Sequence, residues 1–202
     1  TFLSMKTFLK RALSTFLFVY LAISAFGHSI YKVENYDSYT KNMLDIRHIG
    51  QDKKGFLWVS TSDGLYRFDG YRFKDFKPQK YGENKINNDA VEYMACDNTG
   101  NIWCKIDNKV YLFDTDSYTF HNALESVEKE KTYVVRMFRC LPDGTTCIVC
   151  EKGTVFLIDN KHPLSSARII YDAKTDILGV NHNKVTQEIW MRTEKYTAVI
   201  TK

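Results

Sequence analysis

The sequence predicts an all-β chain: a β-propeller of four-stranded antiparallel blades on a repeat of about 44 residues, incomplete at the C-terminus. Three observations carry that prediction. A landmark position recurs as Trp58, Trp103, Cys147 and Trp190, at steps of 45, 44 and 43 residues, preceded by GFLW, GNIW, GTTC and QEIW. A second landmark, LYRFD (65–69), VYLFD (110–114) and VFLID (155–159), repeats every 45 residues. Within one repeat, Ile46 to Phe76, short apolar or alternating runs are separated by DKKG, SDG and DGY. Gly accepts the positive φ of tight turns and Asp bonds its own backbone two residues on, so these strands run up and down beside one another. A meander cannot bury both faces alone; stacking blades around an axis buries them. A Trp on the second strand of each blade suits packing between neighbours.

Taken in order, residues 5–27 read MKTFLKRALSTFLFVYLAISAFG. A basic start, an apolar stretch and small residues at Ala25 and Gly27 predict a secretory signal peptide cleaved after Gly27. The apolar run is shorter than the ~20 residues that span a bilayer. Without this leader the chain carries 25 basic and 24 acidic residues, so its basicity belongs to targeting and no nucleic-acid footprint remains. Residues 28–44 form a lead-in strand. Blade 1 covers 45–76 and blade 2 covers 90–122, with a polar surface loop, KPQKYGENKINND (77–89), between them. Residues 123–131 (ALESVEKEK) form a solvated inter-blade loop, a short helical turn being the other reading. Blade 3 covers 132–171, with LPDG and EKG as its turns, and a partial blade 4 covers 176–202. The 202 residues then read as the N-terminal part of a longer array.

The residues singled out are structural to the repeat: Asp52, Gly55, Trp58, Gly64, Asp69, Asp97, Gly100, Trp103, Asp114, Gly144, Asp159 and Trp190. The acids at Asp52, Asp97 and Asp143, and at Asp69, Asp114 and Asp159, read as turn-formers in register with the repeat. Arg47 and His48 fall on the first strand of blade 1, lining a channel or on its outer face. The five His show no ligand spacing, and no P-loop, GxSxG or dinucleotide motif is present, so no metal, cofactor or catalytic residue is expected. Cys96, Cys104, Cys140, Cys147 and Cys150 all fall on strands, as small buried residues. Cys147 and Cys150 point to opposite faces and cannot share a metal. An oxidising compartment leaves a Cys96–Cys140 bridge open.

The stretch QDKKGFLWVSTSDGLYRFDGYRFKDF resembles the repeat of the two-component regulator propeller family. The match runs through Asp52, Gly55, Leu57, Trp58, Val59, Ser60, Thr61, Gly64, Leu65, Arg67, Phe68 and Asp69. Blade 2 keeps Asp97, Gly100, Ile102, Trp103, Phe113 and Asp114, whereas blades 3 and 4 lose the Trp and the Gly respectively. The resemblance implies the N-terminal periplasmic sensor region of a Bacteroidetes hybrid two-component system, with a histidine kinase, phosphorelay modules and an inner-membrane anchor elsewhere in the parent. It implies an oligosaccharide or other small periplasmic ligand, with the missing blades, the kinase modules or a second copy of the chain as further partners. The alternatives are an exported propeller enzyme acting on carbohydrates and a non-catalytic interaction scaffold, because propellers host all of these.

Overall fold

A computed structural model describes residues 8, 13–16, 43, 45–81, 86–129 and 131–201. The signal-peptide and lead-in-strand readings fall almost wholly outside these residues. No helix among the described residues is long and apolar enough to cross a membrane. The chain divides into two units, 1–36 and 37–202, and the second holds the fifteen described strands.

Those strands make four antiparallel meanders in chain order. The first sheet is β1 (Ile46–Gln51), β2 (Leu57–Thr61), β3 (Gly64–Phe68) and β4 (Phe73–Phe76). The second is β5 (Tyr93–Cys96), β6 (Ile102–Ile106), β7 (Lys109–Phe113) and β8 (Phe120–Asn122). The third is β9 (Val135–Cys140), β10 (Thr145–Cys150), β11 (Thr154–Asp159) and β12 (Arg168–Asp172). The fourth has three strands, β13 (Ile177–His182), β14 (Ile189–Thr193) and β15 (Thr197–Ile200). The chain is thus all-β and built of propeller blades, the fourth short of one strand.

Three apolar clusters join the sheets. Trp58, Leu65 and Phe76 of the first sheet pack with Met94, Ile102, Cys104 and Phe113 of the second. Trp103, Val110 and Leu112 of the second pack with Phe138, Ile148, Cys150 and Phe156 of the third. Cys147, Val149 and Leu157 of the third pack with Ile177, Ile189 and Met191 of the fourth. Burying each indole contributes roughly 4 kcal/mol at ~25 cal/mol per Å². A sheet covered on both faces loses the alternation of a half-buried strand: β6 is buried at all five positions. In β14 burial alternates, with Ile189, Met191 and Thr193 inward and Trp190 and Arg192 outward. Trp190 is 43% exposed, whereas its counterparts Trp58 and Trp103 are at 0%.

Two connections depart from expectation. The polar segment 77–89 is not wholly a surface loop: Pro78–Tyr81 forms one helical turn, and Ile86 is buried in the first cluster. In 123–131, Ala123 and Leu124 are buried in the second cluster. A helical turn follows, with the Glu128 N–H donating to the Leu124 carbonyl. The Glu128 carboxylate accepts from Asn122 and from the Tyr133 N–H, and pairs with Lys109 at 3.5 Å. One apolar pair anchors this segment, and its charges obscure the pair in the sequence.

Candidate functional site

The turn between the first two strands of a blade sets the geometry around the Trp position. In the first sheet the Asp52 carboxylate accepts from the N–H groups of Lys54 and Phe56, and from Trp58 Nε1 at 2.8 Å. In the second, Asp97 accepts from Thr99, Gly100 and Asn101 N–H groups at 2.9 Å each, and from Trp103 Nε1 at 2.8 Å. Burial alone would raise the Asp97 carboxyl, but the bonds from Trp103, Thr99 and Asn101 outweigh it and hold its pKa below the usual carboxylate value. These acids form turns, and each also fixes an indole six residues on. The sequence reading missed this second role.

The third sheet corrects the register read for Asp143. The bonds Asp52 N–H to Phe56 O and Gly55 N–H to Asp52 O recur as Leu141 N–H to Thr145 O and Gly144 N–H to Leu141 O. Leu141, not Asp143, therefore stands in the place of Asp52. Asp143 lies two residues later and caps the backbone and hydroxyl of Thr145. With Cys147 in place of the indole there is no ring N–H to accept, and Leu141 is buried among apolar neighbours instead. In the fourth sheet Asn183 caps the turn, Gln187 takes the Gly place at φ 60°, and Trp190 Nε1 donates to Glu188 at 3.1 Å.

Of the second group, Asp69 accepts the Tyr71 and Arg72 N–H groups, Asp114 the Asp116 N–H and the Ser117 hydroxyl, and Asp159 the Lys161 N–H. Gly64 lies opposite Thr61 across a two-residue turn, where a Cβ would come within 3.2 Å of the Phe76 carbonyl. That turn carries a part-buried cluster: Lys77 Nζ at 2.7 Å from Asp63, with the Tyr66 hydroxyl donating to the same carboxylate at 2.8 Å. Burial opposes ionisation of Asp63, yet bonds from Lys77, Thr61 and Tyr66 bring its pKa down to about 2.

The five cysteines are free thiols, Cys96 and Cys140 included. Burial pushes the pKa of Cys96, Cys140, Cys147 and Cys150 up to about 12, so they stand as apolar thiols rather than nucleophiles. Cys147 belongs to the cluster facing the fourth sheet and Cys150 to the one facing the second. Among the described residues no group of three or more His, Cys, Asp or Glu is placed to hold a metal ion.

The first strands of the first three sheets run beside each other, Arg139 reaches from β9 to β13, and these strands carry the remaining polar chemistry. The His48 ring meets Tyr93 edge-on at 4.4 Å, Tyr93 meets Phe138 at 5.0 Å, and Arg47 turns back to Asp45. The residue paired with each Trp position on the first strand is Gly50, Ala95, Arg139 and Asn181 in turn. Opposite the two fully buried indoles stand Gly50 and Ala95, opposite the part-exposed Trp190 stands Asn181, and opposite Cys147 there is room for a guanidinium. Arg139 uses that room to cross to the fourth sheet, its Nη1 donating to Val180 O at 3.0 Å and to Asn181 Oδ1 at 2.8 Å. A cleft of about 210 Å³ lies between Cys147, Gly179 and Tyr93, and a groove of about 380 Å³ opens beside it between Arg139, Leu141, Pro142, His182 and Lys184. The sequence reading did not single out Arg139. Its signal was a charged residue at a position that is Gly and Ala in the two earlier repeats.

No protein-family model matches the chain, and no curated protein matches it. Solved structures do. The extracellular domain of BT4673 from B. thetaiotaomicron, assigned to the hybrid two-component systems, matches at TM-score 0.58 and 16% identity, over 86% of this chain and 26% of that one. The dihydro-heme d1 dehydrogenase NirN matches at TM-score 0.59 and 8% identity, over 78% and 35%. The C-terminal WD40 domain of Sif2 matches at TM-score 0.54 and 13% identity, over 78% and 46%. The chain thus spans about a quarter of the BT4673 domain, and at these identities the likeness is one of fold: this chain is built of propeller blades like those of an extracellular sensor domain, a dehydrogenase and a WD40 domain.

Proposed function

We propose that the chain is a ligand-sensing propeller module of an extracytoplasmic two-component receptor, responding to an oligosaccharide. The observation that carries this reading is the fold likeness to the BT4673 extracellular domain over 86% of the chain. It coincides with the repeat DKKGFLWVSTSDGLYRFD at residues 52–69. On this reading the module is periplasmic and non-catalytic. Its signal passes to kinase modules of a parent protein, and further blades or a second copy complete the receptor. The acids that recur in the repeat support a non-catalytic role, since Asp52, Asp97 and Asp69 spend their oxygens on turn N–H groups and indoles. Fold alone does not separate sensing from enzyme chemistry, because propellers host both.

The test is to incubate the full 202-residue chain with a panel of neutral and acidic oligosaccharides, measuring heat of binding and analysing the sugar afterwards by mass spectrometry. Saturable binding with the sugar recovered intact is the expected result. Cleavage or oxidation of the sugar would establish the enzyme alternative. Absence of binding across the panel would sink the oligosaccharide reading.

A further inference from the structure

The groove between the third and fourth sheets has a one-sided charge. Arg139 and Lys184 line it together with His182, and no carboxylate is among its lining residues. Arg139 spends one nitrogen, Nη1, on Val180 O and Asn181 Oδ1. Among the described residues it faces no carboxylate within ion-pair distance, whereas Arg47, Arg136, Lys77, Lys105 and Lys109 all do. Both ring nitrogens of His182 are shielded from solvent and have no hydrogen-bond partner. A shielded polar atom without a partner is destabilising, and the exposed guanidinium of Arg139 is held by neutral oxygens with no carboxylate to neutralise it. Glu188 is the acid nearby in sequence, and it is engaged by Trp190 Nε1 and Thr186 Oγ1.

We infer that this groove binds an anionic group, carboxylate or sulfate, borne by a sugar. The planar guanidinium of Arg139 has Nε and Nη2 left to offer, in the fork that matches an oxyanion. Lys184 adds a second charge. Asn181 lines the same groove and supplies an amide for sugar hydroxyls. The third repeat carries Arg139 where the first two have Gly50 and Ala95, and Cys147 and Leu141 where they have Trp and Asp. The inference rests on the oligosaccharide reading and narrows it to acidic saccharides.

The test follows the amide NMR signals of Arg139, Asn181 and Lys184 in the full chain during titration with D-glucuronic acid, D-glucose and sodium sulfate. Glucuronate is expected to move all three and to bind at least about tenfold more tightly than glucose. Arg139→Gln should weaken glucuronate by at least about tenfold, with Arg139→Lys retaining part of the affinity. Lys184→Gln removes an exposed charge without touching the Arg139–Val180 bond, and should weaken it about threefold. Equal binding by the wild type and Arg139→Gln, or no movement of these signals by either anion, would overturn the site. Sulfate moving them while no saccharide does would leave the anion site standing and overturn the oligosaccharide reading. A neutral oligosaccharide binding with the groove silent would do the reverse.

Discussion

A carboxylate that terminates a turn and holds an indole does more for a blade than either contact alone. Asp97 collects three backbone N–H groups and the Trp103 ring N–H, and it is itself buried. Asp97→Ala leaves those donors without an acceptor, so we expect a loss of about 3 kcal/mol, with the Trp103 emission shifting to the red. A loss under 1 kcal/mol in urea melts would mean that water replaces the carboxylate freely. The same logic makes Leu141 and Cys147 a pair. Cys147→Trp alone places an indole N–H with no acceptor, and Leu141→Asp alone buries a carboxylate in an apolar cluster. Together, in an Arg139→Ala background that clears the position Gly50 and Ala95 clear in the first two sheets, they should restore the bond of those sheets, with a favourable coupling of about 1–2 kcal/mol in a double-mutant cycle; additive effects would show that the third turn cannot seat the pair. The acid at the hairpin turn of the first sheet has a pH signature. Its folded pKa of about 2 lies below that of the unfolded chain, near 3.9, so Asp63 contributes stability that is complete above the unfolded value and lost as pH falls from about 4 to 2. Asp63→Asn should therefore flatten the stability profile in that window, leave its shape near neutral pH unchanged, and alter it again in the alkaline range where Tyr66 and Lys77 lose the carboxylate that helps to raise their pKa values.

Among elements, the turns were the most legible part of the chain and the connections the least. DKKG and DNTG announce their geometry because Gly55 and Gly100 must take positive φ and Asp must cap. LPDG misled because its Asp sits two places late; counting back three residues from Gly144, as Asp52 stands three before Gly55, gives Leu141, and the bond pattern agrees. Ile86 escaped notice because one apolar residue in a polar segment carries no period. Arg139 escaped because its partners on β13 lie 41 and 42 residues away, beyond any local pattern. The pairing of Gly50 and Ala95 with the two indoles was there to be read, and it explains why the charge appears only where the Trp is lost. Glycines in turns are not equivalent either. Gly70 has φ 97° and open space around a would-be Cβ, so Gly70→Ala should cost only the left-handed penalty of about 1 kcal/mol. At Gly153, φ is 84° and a Cβ would lie 2.2 Å from the Thr175 carbonyl and 2.7 Å from Ala173 Cβ. Gly153→Ala must also push the β12–β13 connection off the third sheet, and we expect about 3 kcal/mol or more. Equal melting temperatures for the two variants would show that this connection yields without cost.

At the scale of the whole array, the three apolar clusters among the described residues each join one sheet to the next, so stability is a sum of blade terms and interface terms. The second and third sheets are covered on both faces, and β6 and β11 are buried almost throughout. The first sheet leaves Ile49 66% and Leu57 39% exposed, and the fourth leaves Trp190 43% and Val199 40% exposed. A sheet with one interface lacks about half of the apolar stabilisation of one with two, and opens first when opening is local. Amide hydrogen exchange on the 202-residue chain should therefore rank β6, β7, β10 and β11 as most protected, with β13–β15 exchanging earliest. The fourth sheet loses out twice: its outer face is open, and its inner face meets the third across the cleft beside Cys147 and Gly179 rather than against an indole. If an anionic sugar fills the neighbouring groove, its binding energy should appear as protection in β9 and β13, the two strands that Arg139 joins, and not in β1–β4. Uniform protection across all four sheets, with or without the sugar, would instead mean that the array opens only as a single cooperative unit.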